Sequence, residues 1–192
     1  MANKNEYINR VASALQGMEM HGLFPSVTIA QAALESGWGE SSLTKNYNNH
    51  FGMTKGSGTN YGGFTGQTVS INGRTYRAYP SIEASIADRN GLLLTLNRYK
   101  DVPKARTPRE QITAIINGGY TQSDTYVGTV MQIIEQNDLT RFDAATTGGG
   151  TGAAGTTTQT QKQYKMNTKT LSIIIVAVGL ALAAVGGYNL FF

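Results

Sequence analysis

The 192-residue chain contains no cysteine, two histidines, one tryptophan and four prolines. Without cysteine there is no disulfide framework, no thiolate metal site and no sulfur nucleophile. His21 and His50 stand 29 positions apart, which excludes the paired-histidine HExxH motif of zinc peptidases. No metal or other cofactor is expected. The opening MANKNEYINRVASALQG lacks the apolar run of a secretory signal. Acidic residues stop at Asp143, and none lies between Glu40 and Glu83. The first gap bears on the tail, the second on catalysis.

The net charge of +4 is unevenly spread. Residues 1–143 hold 13 Lys and Arg against 12 Asp and Glu, a balance of +1, and the remaining +3 is Lys162, Lys165 and Lys169. The basic character belongs to the tail, so nucleic-acid binding by the folded part is not expected. Residues 144–170, AATTGGGTGAAGTTTQTQKQYKMNTKT, have almost nothing to bury and read as a flexible linker. Residues 171–192, LSIIIVAVGLALAAVGGYNLFF, carry no charge. A helix needs about 20 residues to cross the hydrocarbon core, so this segment reads as a single C-terminal transmembrane anchor in a lipid bilayer. Gly179, Ala183 and Gly187 form a small-residue stripe that could let two anchors pair.

Within residues 1–143 the periodicity predicts five helices and one hairpin. Ile8, Val11, Ala12, Leu15 and Met18 recur at helical spacing over about 5–20. A second helix runs from Pro25 to Gly37, with Ser26 as its expected N-cap. Residues 45–66, rich in Gly, Asn and Tyr, read as loop. Asn72-Gly73 between β-branched and aromatic runs signals a hairpin. Pro80-Ser81 opens a third helix over about 82–99. The capping box Thr107-Pro-Arg-Glu110 starts a fourth, closed by Gly118-Gly119, and a fifth covers about 124–137. The fold class is α+β: a mostly helical domain with one short hairpin, a linker and an anchor.

Glu35 is the first residue suited to chemistry. It ends an apolar helix three residues before Trp38. A carboxyl near an indole and apolar neighbours loses hydration in its charged form, and its pKa rises. Such a group can hold a proton near neutral pH and deliver it to a glycosidic oxygen. Read alone, the same residue is better taken as a solvated glutamate on a helix edge.

The surrounding motifs add to this. SVTIAQAALESGWGES (26–41), NHFGM (49–53), RAY (77–79), and Gly119-Tyr120 followed by Tyr126 resemble, in order and spacing, the flagellar-rod-type glucosaminidases of glycoside hydrolase family 73. The resemblance covers about residues 5–143. It implies a lysozyme-like α+β fold and cleavage of β-1,4 bonds in the glycan strands of peptidoglycan. It also implies Glu35 as general acid, with Tyr120 as an active-site residue beside it. An aromatic, amide-lined cleft suits sugar rings, which brings in Trp38, Asn49, Tyr61, Gln67 and Tyr126 as substrate-binding candidates. Phe51 and Tyr79 read as core, and His50 as a loop residue.

The chain also departs from that family. Its members often carry a second acid on the hairpin, and here the hairpin has no acid, offering neutral polar side chains such as Gln67, Thr68, Ser70 and Asn72 instead. Three single-acid routes remain: attack by the substrate's 2-acetamido oxygen, attack by a water held by Tyr120, Asn49 or Gln67, and attack by the muramic 6-hydroxyl, as in lytic transglycosylases. A noncatalytic glycan-binding or structural envelope or virion protein is the alternative from another class. The three tail lysines would place the domain on the cytoplasmic face, away from peptidoglycan. A tail-anchored lysin in the membrane of a lipid-containing bacteriophage reconciles the two; a bacterial inner-membrane enzyme is the other reading.

Overall fold

The computed structural model describes residues 3–57 and 60–146. The linker and anchor read at 144–170 and 171–192 fall outside the described residues, except that 144–146 continue the last helical turns. Among the described residues no helix is long and apolar enough to cross a membrane. The elements are α1 (Lys4–Leu15), α2 (Pro25–Ser36), α3 (Ser42–Tyr47), β1 (Thr68–Ile71), β2 (Arg74–Arg77), α4 (Ile82–Thr95), α5 (Pro108–Asn117) and α6 (Tyr126–Gln136), followed by a 3-10 segment, Leu139–Thr146.

Helix α2 is the axis of the domain. Eleven of its twelve residues are buried, and the exception is Glu35. The helix is covered on all sides, as a core helix is rather than a surface one, with Thr28, Gln31 and Glu35 as a polar line along one face. Ala30, Ala32 and Ala33 are fully buried, and their small side chains let neighbours approach closely. Tyr7, Ile8 and Val11 of α1, Ile112 and Ile115 of α5, and Val130, Ile133 and Ile134 of α6 join the same core. Each large aliphatic side chain so buried contributes about 1.5–3 kcal/mol.

Ser26 does not cap α2 as expected. Phe24 occupies the N-cap, because Pro25 sets the first helical turn. Ser26 lies inside that turn, where its backbone N–H and its hydroxyl donate to the two carboxylate oxygens of Asp143, each at 2.8 Å. A carboxylate 117 positions away thus meets one of the free first-turn N–H groups and the positive end of the helix dipole. The far end of the domain is thereby tied to its central helix.

Two other boundaries differ. Residues 42–47 form α3, with the Ser41 hydroxyl accepting from the Thr44 N–H at 3.1 Å, where much of the stretch reads as loop. Six residues are too few to show a helical period. The third expected helix stops at Thr95, and Asn97–Tyr99 follow as a 3-10 turn. The hairpin is as expected: Asn72 and Gly73 both have positive φ, 50° and 77°, as a type I′ turn requires. Thr68 pairs with Arg77 and Ile71 with Arg74.

Asp88 of α4 fastens the hairpin. One oxygen receives the Arg77 guanidinium at 2.7 Å and the Tyr79 hydroxyl at 2.6 Å. The other receives the backbone N–H of Tyr61 at 3.0 Å. Hairpin, glycine-rich loop and α4 therefore meet at one fully buried carboxylate. The loop lies so close to α4 that a Cβ on Gly63 would stand 1.8 Å from the Ala84 carbonyl oxygen, and one on Gly91 2.2 Å from that of Tyr61.

Removing one partner of a buried ion pair strands the other charge. Asp88→Asn is expected to destabilise the domain by about 3–5 kcal/mol, measured by urea unfolding. A loss under 1 kcal/mol would mean the pair does not hold this junction.

Candidate active site

Glu35 occupies the last turn of α2 because the helix is forced to stop there. Gly37, Trp38 and Gly39 follow in succession with φ of 58°, 61° and 81°. A Cβ on Gly39 would meet the Tyr7 ring at 2.7 Å, so the chain turns tightly over α1. The residue is left half-buried at the end of an otherwise buried helix. Burial pushes its pKa up to about 7, and the Tyr126 hydroxyl works the other way. That hydroxyl donates to Glu35 Oε1 at 2.6 Å, which favours the charged form. Desolvation is the larger effect, so Glu35 is poised to exchange a proton near neutrality.

The surroundings of the carboxyl are polar but covered. Tyr126 is buried, and its oxygen also accepts from Gln31 Nε2 at 3.0 Å. Gln31 lies four residues before Glu35, on the same face of α2. Its Oε1 accepts from the guanidinium of Arg89, on α4. The Tyr120 ring lies 6.2 Å from that of Tyr126, tilted. The Tyr120 hydroxyl is buried with no hydrogen-bond partner among the described residues. Burial, and after it the nearby Glu35 carboxylate, raise its pKa, so it is a neutral donor near the acid.

A cleft of about 500 Å³ opens beside this group. Phe51, Tyr61, Tyr99 and Tyr120 give it aromatic walls; Thr54, Ser57, Asn97 and Arg98 give it polar ones. Glu35 is not in its wall: Tyr120 is the residue the two share. Apolar ring faces with a few polar groups suit a ligand of sugar chemistry.

The sequence-predicted site residues separate into two groups. Glu35, Tyr120 and Tyr126 come together, and Tyr61 lines the cleft. Tyr126, expected to bind substrate, lies beneath the acid instead, 1% exposed and bonded to it. Asn49 is a correction: it is buried and its amide is spent. It donates to the carbonyls of Met53 and Arg77, both at 2.8 Å, and accepts from the Met53 N–H at 3.0 Å, stapling the NHFGM loop to the hairpin. Trp38 is also turned away, edge-on to Tyr7 at 6.5 Å and under the Lys4 ammonium at 4.7 Å; packing on α1 takes its face. Gln67 is exposed at the start of the hairpin and outside the cleft lining. His50 is buried, with Nδ1 2.8 Å from the Tyr7 hydroxyl, and burial pushes its pKa down to about 4. It is a neutral structural residue.

Sequence reasoning missed Gln31, Arg89 and the Asn97–Tyr99 wall. Gln31 did carry a signal, as a polar residue inside an apolar helical run, whereas Arg89 stands among the polar neighbours Asp88 and Asn90 and carried none. The 3-10 wall carried none, because its place depends on where α4 ends.

With this geometry in view, comparison with known proteins is specific. The profile of the glucosaminidase family, described as "Mannosyl-glycoprotein endo-beta-N-acetylglucosaminidase", matches residues 11–139. The chain is 35% identical to a "Probable N-acetylmuramidase" of Lactococcus lactis subsp. cremoris, over 73% of this chain and 35% of that protein. It is 33% identical to the "Exo-glucosaminidase LytG" of Bacillus subtilis, over 65% of this chain and 48% of that one. The chain thus spans between a third and a half of these relatives' lengths. Among solved structures, the catalytic domain of the Listeria monocytogenes autolysin Auto matches with a TM-score of 0.59 at 28% identity, covering 73% of this chain and 87% of that domain. A peptidoglycan hydrolase from Sphingomonas sp. A1 gives 0.56 at 27%, covering 76% and 94%.

The perturbed acid makes a stability prediction independent of activity. A folded-state pKa near 7, above the ordinary value, means that between about pH 4.5 and 7 the folded protein holds a proton the unfolded chain has released. Stability therefore falls as pH rises through that window. Glu35→Gln should gain about 1–3 kcal/mol relative to wild type between pH 4 and pH 8. His50 acts in the opposite sense but is common to both proteins and cancels. Urea unfolding at the two pH values checks this; a constant difference would show that Glu35 is not desolvated.

Proposed function

The chain belongs to the glucosaminidase family, and from that premise we propose that it hydrolyses β-1,4 glycosidic bonds in the glycan strands of peptidoglycan, as an endo-β-N-acetylglucosaminidase. The observation that carries this reading is a carboxyl with a pKa of about 7 at the open end of a buried helix, beside an aromatic cleft. Glu35 gives its proton to the glycosidic oxygen, which makes the departing sugar a better leaving group. The Tyr120 hydroxyl, unpartnered and buried, is available to the substrate or to an attacking water.

Among the described residues no second carboxylate acts on Glu35: what shifts it is burial and Tyr126. Glu40 is held at 2.6 Å by Lys45 on the exposed surface, and Glu83 lies in the first turn of α4. The nucleophile is then a water or the substrate's own 2-acetamido oxygen. Residues 171–192 would anchor the enzyme in a bilayer, that of a membrane-containing virion or the bacterial inner membrane, with residues 144–170 as spacer.

Purified sacculi treated with the protein, then reduced and analysed by mass spectrometry, separate the chemistries. Reduced N-acetylglucosamine ends are expected. Reduced N-acetylmuramic ends would make it a muramidase, anhydromuramic ends a transglycosylase, and no new ends a noncatalytic binder. Glu35→Gln should lower kcat at least about 100-fold, and kcat/KM should fall above about pH 7 as the acid loses its proton; full activity in the variant would sink the assignment. Carbonate-resistant sedimentation of the full chain with membranes, lost on deleting 171–192, tests the anchor. Detection in purified virions supports the phage setting, and detection only in host envelopes refutes it.

A further inference from the structure

We propose that Arg89 and Gln31 are positioning residues that orient the Tyr126 hydroxyl, so that the acid proton of Glu35 is carried on Oε2. The proposal deepens the reading of Glu35 as proton donor and rests on it.

Arg89 is fully buried, and no carboxylate stands within ion-pair distance of it among the described residues. Its guanidinium donates to Thr28 Oγ1 at 3.0 Å, to Asn90 Oδ1 at 2.7 Å and to Gln31 Oε1. Arginine has donors only, so the Gln31 amide has one orientation: its oxygen faces Arg89. Its nitrogen then faces Tyr126 and donates to the phenol oxygen at 3.0 Å. A phenol has a single hydrogen, and with Gln31 donating from one side that hydrogen goes to Glu35 Oε1, 2.6 Å away.

The consequence falls on the carboxyl. While Oε1 accepts from Tyr126, a protonated Glu35 carries its hydrogen on the other oxygen. Among the described residues nothing bonds to Oε2, which leaves that proton for a substrate oxygen. The order Arg89 to Gln31 to Tyr126 to Glu35 has every donor pointing one way, so the bonds reinforce one another. The charge of Arg89 acts through this order rather than across space: burial and Tyr126 set the acidity of Glu35. The other titratable group facing Glu35 is Tyr120, with Tyr99 and Arg89 behind it.

Gln31→Met keeps volume and removes both ends of the amide contact. The test is a 13C NMR titration of the full chain labelled at glutamate Cδ, with Glu35 assigned from Glu35→Gln. The wild-type value is expected near 7. Tyr126→Phe should raise it by about one unit, since a bond to the charged form is lost. Gln31→Met should raise it similarly, with kcat down about tenfold and KM within about twofold. The double variant should titrate with Tyr126→Phe alone. A Gln31→Met titration equal to wild type, or a double variant in which the rises add, overturns the proposal. Should Gln31→Met not fold, Gln31→Glu keeps the Arg89 contact and loses the donor to Tyr126. It must then raise the Glu35 value more with the Tyr126 hydroxyl present than in the Tyr126→Phe background; equal rises overturn the relay. The titration needs no turnover, so a wild type that releases no sugar ends refutes the hydrolase reading alone, while an unmoved titration with active enzyme refutes the relay alone.

Discussion

A helix buried on every side sheds water along its whole length, and in α2 the one side chain that reaches the edge is a carboxyl. That single desolvated acid sets the terms for what surrounds it. Its charged form is disfavoured by burial, and the negative end of the helix dipole adds to that in sign. The helix must therefore be held by other means. At its N-terminus the Ser26 N–H and hydroxyl are met by Asp143, and its flanks by the aliphatic faces of α1, α5 and α6. The stability that burial of those faces supplies is what keeps an acid in a place unfavourable to its charge.

The cleft half of the domain is built on a different principle. The hairpin and the glycine-rich loop bury little apolar surface, and they depend on polar junctions instead. Asp88 gathers Arg77, Tyr79 and the Tyr61 backbone, while Asn49 staples the NHFGM loop to the hairpin. Junctions of this kind fix position well, since each lone pair and each hydrogen has one partner. They bring Phe51 and Tyr61 into one wall, opposite the polar Asn97 and Arg98. Asn49, which looks functional in sequence, belongs to this scaffolding, and so does His50, read there as a loop residue.

That distinction explains how far the sequence can be read. The hairpin and the core helices were legible because their signals are local: a turn dipeptide and an apolar period. Glu35 and Tyr120 stood out only through the resemblance, since the tryptophan that marks Glu35 in sequence packs on α1 instead. The place of Tyr126 beneath the acid was not legible at all. The roles of Trp38, Asn49 and Gln67 were not either, because whether an indole or amide faces a cleft or a neighbouring strand depends on long-range packing. Trp38 faces α1, 31 positions earlier at Tyr7. The Asn49 amide reaches Arg77, 28 positions later. Gln31 shows the converse. Its spacing to Glu35 was visible, but its meaning needed Arg89, 58 positions away.

The missing hairpin acid and the perturbed Glu35 bear on each other. A carboxyl that titrates near 7 is close enough to neutrality to give a proton in one step and recover it in the next. Two opposed carboxylates are needed when one must stay ionised as nucleophile or base while the other stays protonated. Where the substrate's own acetamido oxygen attacks, the second role passes to the sugar. The protein then has only to hold one proton in the correct place, facing the glycosidic oxygen. On the proposed function, a buried file of donors ending at one carboxylate oxygen matters more to such an enzyme than a second acid would, because the position of that proton is the only acid–base geometry left for the protein to set.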